Sequence, residues 1–210
     1  MTAQGSHRTR ILLIIAGVLA ATPALAHHPM GGEVPGTLMD GLMSGLAHPI
    51  LGVDHLAALV AVGLIAARGA GLLATPGAWV LGMLAGVGLH MAGIGLLFGE
   101  ALVAGSVLAL GLALFAPGAL SRSALLALVG AGGFMHGHAL AESIIGAEAT
   151  PLVAYLTGLA IVQVGLAAGI TLVVRSLGRE LDQPAALRAA GLALAVVGAG
   201  FLVSGLVGSA

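Results

Sequence analysis

Apolar runs separated by short polar or Gly- and Pro-marked gaps organise the chain from residue 48 onward. Six of them cover roughly 48–67, 77–98, 100–116, 123–145, 151–174 and 187–207. Each is near the ~20 residues that a helix needs to cross a bilayer. The gaps fall at Arg68-Gly69 with Thr75-Pro76-Gly77, at Gly99-Glu100, at Ala116-Pro117-Gly118, at Thr150-Pro151, and over the polar stretch Arg175 to Pro184. A short helical approach is expected at 37–47, after the Gly-rich lead-in 29–36. The pattern predicts an all-α polytopic membrane protein, a six-transmembrane-helix bundle occupying 27–210 as one domain. Gly82-x-x-x-Gly86, Gly165-x-x-x-Gly169 and Gly200-x-x-x-Ser204 offer small faces for close helix contact.

The run nearest the N-terminus reads differently. Arg8 and Arg10 precede the apolar stretch Ile11 to Ala21, and Ala24-Leu25-Ala26 follows. These are the three parts of a secretory signal peptide, expected over 1–26 and cleaved after Ala26. The mature chain would begin His27-His28-Pro29, outside the cytoplasmic membrane.

Composition supports the membrane reading. Of 210 residues, 59% are hydrophobic and 7% charged, against about a quarter charged in an ordinary soluble domain. The formal net charge is −1, so no field draws nucleic acid. There is no Cys, hence no disulfide, zinc ribbon or thiolate ligand. There is no Lys either, which excludes a Walker A phosphate loop and nucleotide-driven pumping.

Charge also orients the spans. With the mature N-terminus outside, the connections after spans one, three and five face the cytoplasm. They hold Arg68, Arg122, Arg175 and Arg179, and Arg188 opens span six. The outer connections, near Glu100 and Glu148, hold no cation, as the positive-inside rule requires. Both mature termini are therefore expected outside.

The candidate chemistry lies in polar residues within the spans, where each ionisable group costs at least ~2.5 kcal/mol on insertion scales. His48-Pro49-Ile50-Leu51-Gly52-Val53-Asp54-His55 is the densest cluster, expected at the outer end of span one with Pro49 in its first turn. On a straight helix His48 and His55 stand about 10 Å apart along the axis. One ion could reach both only through a bend, which Pro49 and Gly52 permit. Asp54 could ligate directly or orient His55; the plainer alternative is an Asp–His pair that fastens helices. The second cluster, His136-Gly137-His138-Ala139-Leu140-Ala141-Glu142, sits on span four. His138 and Glu142 share a helical face, whereas His136 and His138 converge only if the glycines loosen the turn. His90 alone reads as structural, and Glu100 as a solvated cap on a helix N-terminus. Several His with carboxylates and no thiol suit Ni²⁺, Co²⁺ or Zn²⁺, although a proton relay uses similar residues. His27 and His28 could capture an ion at the outer surface.

At His48-x5-Asp54-His55, and along the stretch from His48 to Gly63, the sequence resembles the HupE/UreJ family of nickel/cobalt permeases. The resemblance continues in the His after the signal peptide, in Glu100 with its following apolar span, and in Phe134-Met135-His136-Gly137-His138-Ala139. It implies a small secondary permease of the bacterial cytoplasmic membrane that admits Ni²⁺ or Co²⁺ as substrate, with no cofactor and no nucleotide. It also implies functional roles for His48, Asp54, His55, Glu100 and His136. The second motif departs from the family pattern at Leu140 and Ala141, and Met135 splits its Phe-His pair. Two other readings stay open: an intramembrane metalloenzyme, which no His-Glu-x-x-His motif supports, and a structural accessory subunit. Met91 and Met135, each beside a His, leave room for a copper variant of the permease.

Overall fold

In a computed structural model of the chain, the described residues are 34–177 and 183–208. The signal peptide expected over 1–26, together with His27, His28 and Arg179, lies outside them. The described residues are all-helical, with no strand.

Thr37 opens α1 (Leu38–Leu51) through a capping box. Its hydroxyl accepts from the Asp40 amide at 3.1 Å, and the Asp40 carboxylate accepts from the Thr37 amide at 3.0 Å. The helix stops at Gly52, whose backbone is extended (φ −77°, ψ 111°), and α2 (Val53–Ile65) starts on the next residue. A π-helical turn over Ala66–Ala70 ends α2. Then come α3 (Ala74–Met91), α4 (Gly99–Phe115), α5 (Arg122–Leu140), a 3₁₀ turn (Ala141–Ile144), α6 (Ala149–Leu177) and α7 (Gln183–Gly208).

Four helical segments are long and apolar enough to cross a membrane: Val53–Ala70, Arg122–Ile144, Ala149–Leu177 and Pro184–Gly205. The helix Gly99–Phe115 is apolar but shorter. The second expected span ends early. It was expected to reach residue 98, but α3 closes at Met91, where Gly93 (φ 79°) turns the chain in a Schellman motif.

Span one is the larger departure. Residues 37–47 are no mere approach, and Pro49 lies inside α1, near its C-terminal end, rather than in the first turn of a span. Both α1 and α2 run along α6 in its own direction. A Cβ at Gly41 would overlap the Pro151 carbonyl, and one at Gly45 the Tyr155 carbonyl. Farther on, the Thr171 hydroxyl donates to the Gly63 carbonyl at 2.9 Å. The two short helices thus form one broken rod beside α6, with the break at Gly52 part-way along it. The His48–His55 cluster, expected at the outer end of a span, instead lies at this internal break.

Glycine sets the other close contacts. Along α3 and α5, a Cβ at Gly82, Gly86, Gly133 or Gly137 would overlap backbone of the facing helix. Gly111 and Gly198 do the same between α4 and α7. Of the three small-residue faces read from the sequence, only Gly82–Gly86 is buried this way; Gly165, Gly169 and Gly200 face open space. Apolar side chains on the outer faces, such as Leu81, Val153, Ile161 and Val196, are exposed, as a lipid-facing surface requires.

A buried polar pair joins α3 to α6. The Trp79 indole N–H donates to Gln163 Oε1 at 2.8 Å, with both residues 2% exposed. Gln163→Leu leaves that donor unpaired, a cost of ~1–3 kcal/mol. The expected result is a lower thermal midpoint for the detergent-purified variant, and an unchanged midpoint would show that the bond contributes nothing.

Candidate metal site

Three imidazoles from three elements meet at the Gly52 break. His48 lies in the last turn of α1, His55 in the first turn of α2, and His136 comes from α5; their exposures are 5%, 6% and 1%. The His48 and His55 rings stack with centroids 5.8 Å apart, and His55 meets His136 edge-on at 4.8 Å. The extended backbone at Gly52 makes the first contact. It removes the two-turn separation that a continuous helix would impose on residues 48 and 55.

Their hydrogen bonds fix which nitrogens face the cluster. Asp54 Oδ1 accepts from the His55 backbone N–H and lies 2.9 Å from His55 Nδ1. A carboxylate only accepts, so the proton sits on Nδ1 and Nε2 keeps its lone pair. This carboxylate–imidazole pairing is the arrangement that orients metal-binding histidines. Ser106 Oγ donates its one proton to the Val103 carbonyl at 2.7 Å and lies 3.0 Å from His136 Nε2. Nε2 of His136 must therefore carry the proton, which leaves the lone pair on Nδ1. That Nδ1 is buried without a hydrogen-bond partner, a costly condition for a polar atom unless something else satisfies it. His48 Nδ1 is held by the Tyr155 hydroxyl at 3.0 Å and faces Ser143 Oγ at 3.5 Å. Trp79 packs against His136 with ring centroids 4.9 Å apart.

The second sequence cluster divides. Helix α5 continues unbroken through 136–138, so its glycines do not loosen the turn. His136 and His138 point to opposite sides. His138 meets His90 from α3, Nδ1 to Nδ1 at 3.3 Å. Glu142 follows in the 3₁₀ turn and is exposed, apart from His138, which is 4% exposed. Glu100 is exposed in the first turn of α4, and no contact joins it to the imidazoles. Among the described residues, no three His, Asp or Glu side chains stand close enough to surround one ion together.

Sequence reasoning missed Tyr155, Ser143, Ser106, Trp79 and Gln163. A signal existed for three of them. Tyr155 and Trp79 are the only Tyr and Trp in the chain, and Gln163 is an amide in the middle of an apolar run, where a polar group needs a partner. Ser106 and Ser143 carry no such mark.

The opposite end of the bundle is cationic. Arg68 donates to the Leu114 carbonyl at 3.1 Å, Arg122 to Ala70 at 3.2 Å and Arg175 to Ala66 at 2.9 Å. These arginines, read from sequence as facing one side, cap carbonyls around the π-helical turn and the C-terminal end of α4. His55 stands thirteen residues before Arg68, ~20 Å of helix away.

A family model described as HupE / UreJ protein matches residues 14–201. Protein HupE of Rhizobium leguminosarum bv. viciae is 35% identical over 120 residues, which is 56% of this chain and 60% of that protein. The matched stretch thus spans less than two thirds of the relative's length. No solved structure matches.

Proposed function

The chain belongs to the HupE / UreJ family, and from that premise we propose that it is a secondary permease for Ni²⁺ or Co²⁺ in the bacterial cytoplasmic membrane, supplying metalloenzyme maturation. Members of the family are accessory permease-type proteins and not enzymes, which disfavours the intramembrane hydrolase. One observation carries the metal reading. At a helix break inside the bundle, His136 Nδ1 is buried with an unpartnered lone pair, beside a His55 that Asp54 orients.

The chemistry follows from those donors. Neutral imidazole is a borderline ligand that suits Ni²⁺ and Co²⁺ better than Mg²⁺ or Ca²⁺. The ion would be held by one or two imidazoles at a time, with water or carbonyl oxygens completing its shell. Such partial coordination suits transport, because an ion must bind well enough to enter and weakly enough to leave. The break contributes as well: discontinuous helices in transporters present free carbonyls and the partial negative charge of a helix C-terminus to cations. Here the C-terminal end of α1, with His48, faces the cluster.

In this account six spans cross the membrane, the first being the broken rod of α1 and α2. The Arg68, Arg122 and Arg175 end faces the cytoplasm, and both mature termini lie outside. Reporter fusions after Gly71 and Gly178 should report cytoplasm, and a fusion at Ala210 the outside. A cytoplasmic Ala210 would show that a span has been miscounted. The role itself is tested by uptake of radiolabelled Ni²⁺ into vesicles, with Co²⁺, Zn²⁺ and Cu²⁺ as competitors. Strongest competition by Cu²⁺ would favour the copper variant.

A further inference from the structure

We propose that His90 and His138 form a second divalent transition-metal site, separate from the central cluster. The two residues lie on different helices, near the end of the bundle opposite the arginines. Their Nδ1 atoms are 3.3 Å apart and their ring centroids 4.4 Å. An ion bound to two imidazoles at ~2.0–2.1 Å with a near-tetrahedral angle places the two nitrogens ~3.3 Å apart. The pair therefore already has the spacing that such an ion needs.

The surrounding backbone prepares one of the two rings. His138 Nε2 lies 3.0 Å from the Ile94 carbonyl. A carbonyl only accepts, so Nε2 carries the proton and the Nδ1 lone pair faces His90. Donation of the far ring N–H to a backbone carbonyl is the usual way of orienting a metal-bound histidine. The carbonyl is placed by the Schellman turn after α3. Ile94 N–H bonds to Leu89 O at 3.2 Å and Gly93 N–H to His90 O at 2.8 Å, with Gly93 in the left-handed region. Without metal, His90 Nδ1–H donates to His138 Nδ1. On binding, that proton shifts to His90 Nε2 through solvent, so both Nδ1 lone pairs reach the ion and no net proton is released. His90 is half-buried one residue before α3 ends at Met91, so the pair lies at a helix end, where water can complete the coordination of a bound ion.

This site faces away from His136 across the body of α5, and it does not depend on transport through the central cluster. The test is equilibrium binding of Co²⁺ to the full chain in detergent, comparing wild type, His90→Gln and His138→Gln, with thermal midpoints measured without metal to check folding. The wild type should bind one Co²⁺ more than His90→Gln, or bind it at least ~100-fold tighter, the top of the range for losing a mere orienting partner. His90→Gln should cause the same loss in a chain whose His55 and His136 are already replaced by Gln. His90→Gln that binds the same number of ions with the same affinity would overturn the site. Absence of Ni²⁺ uptake by wild-type vesicles would instead overturn the permease and leave this site standing.

Discussion

Vesicles carrying His136→Ala should take up no Ni²⁺ above the protein-free background, although the variant reaches the membrane at normal levels. The substitution removes the buried lone pair that has no other partner. His55→Ala should match it, and His48→Ala should come close, because both rings belong to the same stack. Asp54→Asn should be milder, about 10–100-fold, because Asp54 acts through the proton it holds on His55 Nδ1. Ser106→Ala removes only the hydroxyl that accepts from His136 Nε2 and should fall in that same range. His90→Gln should leave most of the uptake intact. If uptake survived both His55→Ala and His136→Ala, the ion would take another route.

Gly137→Val should be strongly destabilising. Its Cβ would overlap backbone of Met83 on the facing helix, which no rotamer change relieves. Separating α3 from α5 also pulls Trp79 off His136. The expected loss is about 3 kcal/mol or more, the upper part of the range for overpacking, read as a drop in folded protein after detergent extraction. Gly165→Val is the control. A Cβ there meets nothing within 4 Å, so its folded yield should match wild type. Equal yields from both variants would mean that the helices do not pack as closely as described.

The sequence made the helical class and the position of the breaks legible, because apolar runs and Pro or Gly punctuation are local signals. It also supplied His48, Asp54, His55 and His136, since ionisable groups stand out in an apolar chain. The division of span one was harder to see. Residues 37–47 read as a mere approach to a span starting at 48, and what makes 38–51 half of a broken rod is its contact with α6, a long-range property. The partner of His138 was hidden for the same reason. Four-residue spacing suggested Glu142, but the helix tightens to 3₁₀ at Ala141 and the neighbour came from α3, forty-eight residues away. The tautomers were beyond sequence altogether, because they depend on Ser106 and on the Ile94 carbonyl, groups that no motif marks.

The most direct test of the permease is uptake of radiolabelled Ni²⁺ by proteoliposomes holding only this chain, with no nucleotide on either side. Saturable uptake that excess Co²⁺ suppresses, and that is absent from liposomes bearing the His55→Ala, His136→Ala chain, is the predicted result. Wild-type liposomes that take up no more Ni²⁺ than empty ones, while the same preparation is folded and inserted, would contradict it.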